Sequence, residues 1–333
     1  MKVLIVKTSS MGDIIHTLPA LTDAVNAIAG IRFDWVVEES FTEIPHWHSA
    51  VDKVIPIAIR RWRKAPLQAW KKGQWQAYKK NLQERDYDAI IDAQGLLKSA
   101  LLVVKQARGP SFGLDRQSAK EALASTFYQT SISVAKNQHA VEKVRQLFAQ
   151  TLGYAVPSSV GDFAIEGHFE KAPDANYLVF NHSTTRVDKH YPEPYWRKLI
   201  ELAIEQGWMI KLPWGNQHEQ QRAERLAAGL LQVEVLPKLS LCEVAQVIAN
   251  ASGCISVDTG LAHLSAAMSK PNITLFGPTD PGLVGGYGRN QQVLLARDFQ
   301  PVDIQVEPKI FNPLTPSIVW DHFSQLMRMY SGK

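Results

Sequence analysis

Apolar runs of strand length alternate with amphipathic helical periods along the chain, and the alternation stops once and then begins again. From the N-terminus, Lys2 to Val6 reads as a strand, Ser9 to Gly12 as a loop and Ile14 to Ile28 as a helix. Phe33 to Val37 and Val54 to Ile59 are further strands. Ala89 to Asp92 leads as a strand into a helix over Leu96 to Lys105, and His139 to Leu152 is an amphipathic helix. Between Gly153 and Asn176 the periodicity fades among Pro157, Ser158, Ser159, Gly161, Gly167 and Pro173, which marks a linker. Strands over Tyr177 to Asn181, Trp208 to Leu212, Val233 to Leu236, Cys254 to Val257 and Asn272 to Phe276 then alternate with helices over Tyr195 to Glu205, Gln217 to Ala228 and Leu241 to Ala249, and Ser317 to Tyr330 reads as a final amphipathic helix. Strands interleaved with helices in this way form mainly parallel sheets, because a parallel pair needs a crossover long enough to hold a helix. The expected architecture is α/β: two Rossmann-like domains, residues 1–160 and 161–333, facing a central cleft, with the last helix free to pack back on the first domain. A length of 333 residues with 45% apolar content allows two buried cores.

Within that frame, Ser256-Val257-Asp258-Thr259-Gly260-Leu261-Ala262-His263 is the segment richest in chemistry. An apolar strand ends at Asp258 and a helix of small residues begins at Thr259 to Leu261. Open α/β sheets bind ligands at the carboxyl ends of their strands. The first amides of a helix lack internal partners and lie at its positive end, so Thr259, Gly260 and Leu261 can hold a diphosphate. An Asp N-cap on an ordinary core helix accounts for the same letters.

Other Rossmann ligands fit less well. The first turn, Lys7-Thr8-Ser9-Ser10-Met11-Gly12-Asp13, has one glycine where a dinucleotide fingerprint needs three, and the chain contains no G-x-x-x-x-G-K-[ST]. Asp86-Tyr87-Asp88 precedes its apolar run, which fits a polar entry into a strand better than a metal-binding pair. No catalytic metal is expected. Two cysteines, Cys242 and Cys254, exclude a disulfide framework. The opening Met1 to Lys7 lacks a secretory h-region, and no run approaches the ~20 apolar residues that span a bilayer, so a soluble cytoplasmic protein is expected.

Charge is distributed unevenly. Lys53, Arg60, Arg61, Arg63, Lys64, Lys71, Lys72, Lys79 and Lys80 fall between Lys53 and Gln83 with no acidic residue among them; taking these nine from the net +4 leaves the rest of the chain at −5. Trp62, Trp70, Trp75 and Tyr78 are interleaved with them. The run suits an anionic partner, or else a solvated face with its aromatics turned inward. No helix-turn-helix, zinc-finger or RNP pattern accompanies it, so nucleic acid is not expected.

These residues carry a resemblance. Lys7 to Asp13 followed by His16-Thr17-Leu18-Pro19-Ala20-Leu21, then Arg60-Arg61-Trp62-Arg63-Lys64, Asp92-Ala93-Gln94-Gly95-Leu96, Ser183-Thr184-Thr185, Lys211-Leu212-Pro213-Trp214-Gly215, Asp258 to His263 and Phe276-Gly277-Pro278-Thr279-Asp280-Pro281-Gly282 resemble, in this order and over nearly the whole chain, the bacterial lipopolysaccharide heptosyltransferase I family. The resemblance implies a GT-B fold with the acceptor on the N-terminal domain and the nucleotide sugar on the C-terminal one. It implies inverting, metal-independent transfer of L-glycero-D-manno-heptose from ADP-heptose to the first Kdo of Kdo2-lipid A. It further implies no cofactor and a monomer acting peripherally at the cytoplasmic face of the inner membrane.

By the same resemblance Asp13 is the general base. Thr184, Thr185, Lys189, Glu219, Asp258, Thr259, Gly260 and His263 bind the donor, while Ser10, Gly12, Arg60, Arg61, Arg63, Lys64, Lys98 and Lys120 bind the acceptor. Lys120 stands where the family is expected to carry Arg, and the tail after Arg297 is assigned no function. Read without the resemblance, Glu219 is equally a carboxylate favoured by a helix dipole, Lys189 a solvated loop lysine and His263 a buried helix histidine. A later-acting heptosyltransferase would keep the donor half and change the acceptor cations. A non-catalytic nucleotide-sugar or anionic-lipid binding protein would need no carboxylate at position 13.

Overall fold

A computed structural model describes residues 1–172 and 176–331, with the backbone alone for Gln68, Trp70 and Ser331. Pro173 of the expected linker and the side chain of Trp70 therefore lie outside the described residues. The chain forms two compact units, Met1–Ile165 and Glu166–Lys333.

The first unit contains β1 (Lys2–Val6), α1 (Met11–Ile15), α2 (Leu18–Ala27), β2 (Arg32–Glu38), α3 (Glu43–His46), β3 (Val51–Ile57), α4 (Ile59–Lys64), α5 (Pro66–Lys71), α6 (Gln74–Leu82), β4 (Ala89–Asp92), α7 (Leu97–Ser99), β5 (Ser111–Leu114), β6 (Thr130–Ile132) and α8 (Ala140–Leu152). The second contains β7 (Tyr177–Asn181), α9 (Glu193–Glu205), β8 (Met209–Leu212), α10 (Gln217–Ala227), β9 (Val233–Val235), α11 (Leu241–Asn250), β10 (Gly253–Val257), α12 (Gly260–Ala267), β11 (Asn272–Phe276), α13 (Pro281–Val284), β12 (Gln291–Leu295) and α14 (Pro316–Ser331).

The sheets run β3-β2-β1-β4-β5-β6 and β12-β11-β10-β7-β8-β9, and the paired strands are parallel throughout. Counted within its own unit, each sheet has the Rossmann order, whose strand sequence reverses beside the first strand. The reversal falls between β1 and β4 in one unit and between β7 and β10 in the other. Central strands such as Lys2–Val6 and Gly253–Val257 are almost wholly buried because helices cover both faces, which explains their unbroken apolar letters.

Several elements depart from the expectations. The helix expected over Ile14 to Ile28 is two helices, α1 and α2, broken at His16 and Thr17, with Pro19 in the opening turn of the second. Proline fits there because that turn has no internal bond for its missing N–H to supply. The helix expected over Leu96 to Lys105 is one short turn followed by a π-helical stretch, Ala100–Val104. Strands β5, β6 and β12 were not expected: the first two have three or four residues, and the third opens on two glutamines. In α14, Val319, Phe323 and Leu326 join the core of the second unit with Trp196, Phe180 and Phe311.

Candidate active site

In the first unit the loops after four parallel strands emerge at one edge of the sheet. The β1 loop carries Lys7 to Ser10 into α1. Ser10 is the N-cap, and its backbone N–H and hydroxyl both donate to Asp13 Oδ2, at 2.9 and 3.0 Å. Asp13 is therefore the third helical residue of a capping box and not the N-cap. Gly12 is buried in the same turn. The neighbouring loop grips this one: Gln94 Oε1 accepts from Thr8 N at 2.8 Å, Thr8 Oγ1 at 3.2 Å and Ser9 N at 3.1 Å. Gln94 is itself placed by Asp92, whose buried carboxylate accepts from Gln94 N, Gly95 N, Ser99 Oγ and Tyr128 Oη. Burial raises the Asp92 pKa against the pull of those bonds, so it acts as a scaffold under the loop.

Lys7 follows the last apolar residue of β1 and stays buried. Its Nζ donates to Ala93 O at 2.8 Å and lies 4.0 Å from Asp13 Oδ1. Burial lowers the lysine's pKa, while Asp13 and Asp92 work to raise it. For Asp13 burial pushes upward, yet Lys7, the two bonds from Ser10 and the charge of Lys120 outweigh it, and the carboxyl is held below its ordinary value. With its side chain 40% exposed, Asp13 is both ionised and reachable.

The expected acceptor cations separate by their surroundings. Glu38, at the end of β2, donates its N–H to Thr8 O and accepts Arg60 N at 3.0 Å, which sets the start of α4 beside the β1 loop. The Arg60 guanidinium lies 5.4 Å from the Phe41 ring centre. Arg61 is already engaged: Nε and Nη2 donate to the two carboxylate oxygens of Glu39 at 2.9 Å, and Nη1 donates to Gln74 at 2.7 Å. Arg63 and Lys64 are exposed and have no polar partner among the described residues. Trp62, Trp75 and Tyr78 turn inward and stack edge-on or tilted with centroids 5.6 to 6.0 Å apart, so the aromatics serve the core and the cations face solvent. Lys98 is exposed on α7, after β4. Lys120, also exposed, is tied to the same loop by Glu121 N donating to Gly95 O at 3.1 Å and Leu97 N donating to Glu121 Oε2 at 2.6 Å.

The second unit assembles its residues where β7, β10 and β11 end. Register pairs Asn181 with Ser256, which sets the β7 loop beside Asp258. A buried polar ladder locks these strands: Asn181 donates to Ser256 and Ser265, Ser256 to Asn272 and Asn272 to Thr274. Asp258 is not a helix cap. Its Oδ2 accepts from Lys189 Nζ at 2.5 Å and Thr279 Oγ1 at 2.7 Å, and its carbonyl accepts from Thr184 Oγ1 at 2.9 Å. Lys189 is thus an ion-pair partner and not a solvated loop lysine.

The N-cap of α12 is Thr259, in extended conformation, and its hydroxyl makes no capping bond. Ala262 N donates to Thr259 O, whereas the N–H groups of Gly260 and Leu261 have no protein acceptor among the described residues. A helix start with open amides and an uncommitted cap hydroxyl is an anion site in form. His263 is half-buried in the same turn, and Thr185 is exposed on the β7 loop. Glu219 is the third residue of α10, where its Oε2 accepts from Gly215 N at 2.7 Å while Asn216 caps the helix. That bond accounts for one of its oxygens.

Beneath the β7 loop lie two histidines. His182 is fully buried beside Ser183 Oγ, and burial with the nearby Arg222 and His190 lowers its pKa to about 3. His190 Nε2 lies 2.8 Å from Thr184 O. Among the described residues no group of three or more His, Cys, Asp or Glu side chains is arranged to hold a metal ion.

The sequence profile of Glycosyltransferase family 9 (heptosyltransferase) matches residues 75–314. The chain belongs to this family. It is a glycosyltransferase, and its two parallel sheets are those of the GT-B fold. Lipopolysaccharide heptosyltransferase 1 of Escherichia coli K12 is 60% identical over 299 residues, covering 89% of this chain and 94% of that protein. The Pseudomonas aeruginosa protein of the same name is 58% identical over 301 residues, covering 90% and 84%. The solved structure of E. coli heptosyltransferase WaaC with ADP superposes with a TM-score of 0.92 at 55% identity, covering 98% of this chain and all of that one.

Lys7, Gln94 and Thr279 also join the candidate site of this glycosyltransferase and were not expected there. All three lie within motifs already singled out. A lysine directly after a buried parallel strand was the signal for the first; the other two show themselves only through the partners they meet.

Proposed function

We propose that this glycosyltransferase moves L-glycero-D-manno-heptose from ADP-heptose to the first Kdo of Kdo2-lipid A, inverting the anomeric centre without a metal ion, in lipopolysaccharide inner-core synthesis. The open first turn of α12 carries the reading, because the amides of Gly260 and Leu261 have no protein acceptor among the described residues and Lys189 is held to the same loop by Asp258. In the reaction the acceptor oxygen attacks the anomeric carbon and gives its proton to Asp13, while the bond to the diphosphate breaks and ADP leaves with the electron pair. Developing charge on that diphosphate is what fixed amides and a lysine stabilise. Thr184 and Thr185 line the donor loop, Thr259 adds a hydroxyl, His263 flanks the helix start, and Glu219 keeps one oxygen for the ribose. A relative solved as E. coli heptosyltransferase WaaC with ADP-2-deoxy-2-fluoro heptose supports this donor: it is 54% identical, with a TM-score of 0.89.

On the acceptor side, Ser10 and Gly12 shape the turn that presents Asp13. Arg60, Arg63, Lys64, Lys98 and Lys120 suit the carboxylates and phosphates of Kdo2-lipid A, with Arg61 a contributor once it leaves Glu39. The same cations would hold a monomer against the anionic inner leaflet, where each is worth about 1 kcal/mol. No described helix is long and apolar enough to cross a membrane. The test incubates the protein with ADP-heptose and Kdo2-lipid A in excess EDTA and determines the anomeric configuration of the product. Undiminished transfer with inversion is expected; a requirement for added Mg²⁺ or Mn²⁺, or a retained configuration, would overturn the mechanism.

A further inference from the structure

We propose that Thr279 is a positioning residue of the donor half-site, setting the place of Lys189 through Asp258; the inference rests on the donor reading above. The loops after β7, β10 and β11, three neighbours in one sheet, meet at Asp258. Oδ2 of this carboxylate takes both the Lys189 ammonium, at 2.5 Å, and the Thr279 hydroxyl, at 2.7 Å. The side chains of Lys189 and Asp258 are only 17% and 11% exposed, so little water reaches them to replace a lost partner. Without Thr279 the carboxylate is free to turn about its χ2 bond, and the lysine would follow it.

Thr279 is well placed to prevent that turn. The strand before it is fully buried, and Gly277 passes so close to Phe311 that an added Cβ would meet the ring at 2.8 Å. On the other side Asp280 caps α13 by accepting Gly282 N at 2.9 Å. The hydroxyl therefore projects from a backbone fixed on both flanks. Its role is indirect: it holds Asp258, which holds the cation that meets the diphosphate.

The experiment compares Thr279→Val, Thr279→Ser, Lys189→Met and the Lys189→Met/Thr279→Val pair in ADP binding by calorimetry and in steady-state kinetics for both substrates. Thr279→Val should weaken ADP binding and lower kcat/KM for the donor by about tenfold, the scale of one lost hydrogen bond to a charged group. KM for the acceptor should be unchanged, and Thr279→Ser should restore most of the loss. In the Lys189→Met background the valine substitution should cost less than about twofold, because residues acting through one another are not additive. Thr279→Ala repeats the test should valine disturb folding. Wild-type ADP binding with an unaffected Thr279→Val protein, or an equal loss in both backgrounds, overturns this proposal alone. A wild-type protein that binds no ADP overturns the donor reading and this proposal with it.

Discussion

Lys7 Nζ stands 4.0 Å from Asp13 Oδ1, a buried ammonium behind a half-exposed carboxylate. The pair comes from one stretch of chain: the lysine directly follows β1 and the aspartate closes the capping box of α1. The lysine keeps Asp13 ionised, and that also makes it a weaker base. In the proposed reaction such a base would accept its proton as the bond to the diphosphate breaks, when the acceptor oxygen is becoming more acidic.

Asp13→Asn tests the base directly. The asparagine oxygen can still accept from Ser10 N, so the capping box survives and the variant should fold, with a modest loss of stability because the buried Lys7 ammonium loses its neighbouring negative charge. Loss of a general base costs about 10² to 10⁴ in rate. Steady-state turnover beside thermal melting checks both expectations; near-normal turnover by a well-folded variant would make Asp13 only a capping residue.

Lys7→Met should move the acid limb of the kcat–pH profile upward. Lys7 lowers the Asp13 pKa by favouring the charged form, so removing it raises that pKa, and activity that needs the carboxylate is lost at a higher pH. A profile with an unmoved acid limb would detach Lys7 from the base.

The two arginines flanking Trp62 should differ. Arg61 already faces the Glu39 carboxylate through two bonds, whereas Arg63 has no described partner. Arg63→Ala should therefore raise the acceptor KM and reduce its salt dependence more than Arg61→Ala does, with donor KM unaffected. Kinetics across a salt series would show the order, and equal effects would mean that Glu39 releases Arg61 to the acceptor.

His182 should make the protein less stable in acid. Its pKa falls from 6.5 to about 3 on burial, so the neutral form is favoured in the folded state. Protonation then favours the unfolded chain: the contribution is whole above pH 6.5 and is lost as the pH falls towards 3. Melting curves of wild type and His182→Gln over this window should converge at low pH; parallel curves would contradict the assignment.

The sequence by itself determined the alternation of strands and helices, the two-sheet α/β class, and the placing of Asp13 and Asp258 just beyond apolar strands. Those are properties of near neighbours in the chain, visible as apolar letters at a fixed period. Its motifs also fall on loops beside β1, β4, β7 and β10, where sheets of this order open their crevices. What it could not convey was which side chains meet. Glu39 taking up Arg61, and Thr279 and Lys189 sharing one oxygen of Asp258, are contacts between residues 21 to 69 positions apart, and only the order and register of the strands bring them together. The short strands β5, β6 and β12 escaped for a related reason: with few apolar residues of their own, they are held by pairing to a neighbouring strand, and that pairing exists only once the sheet has formed.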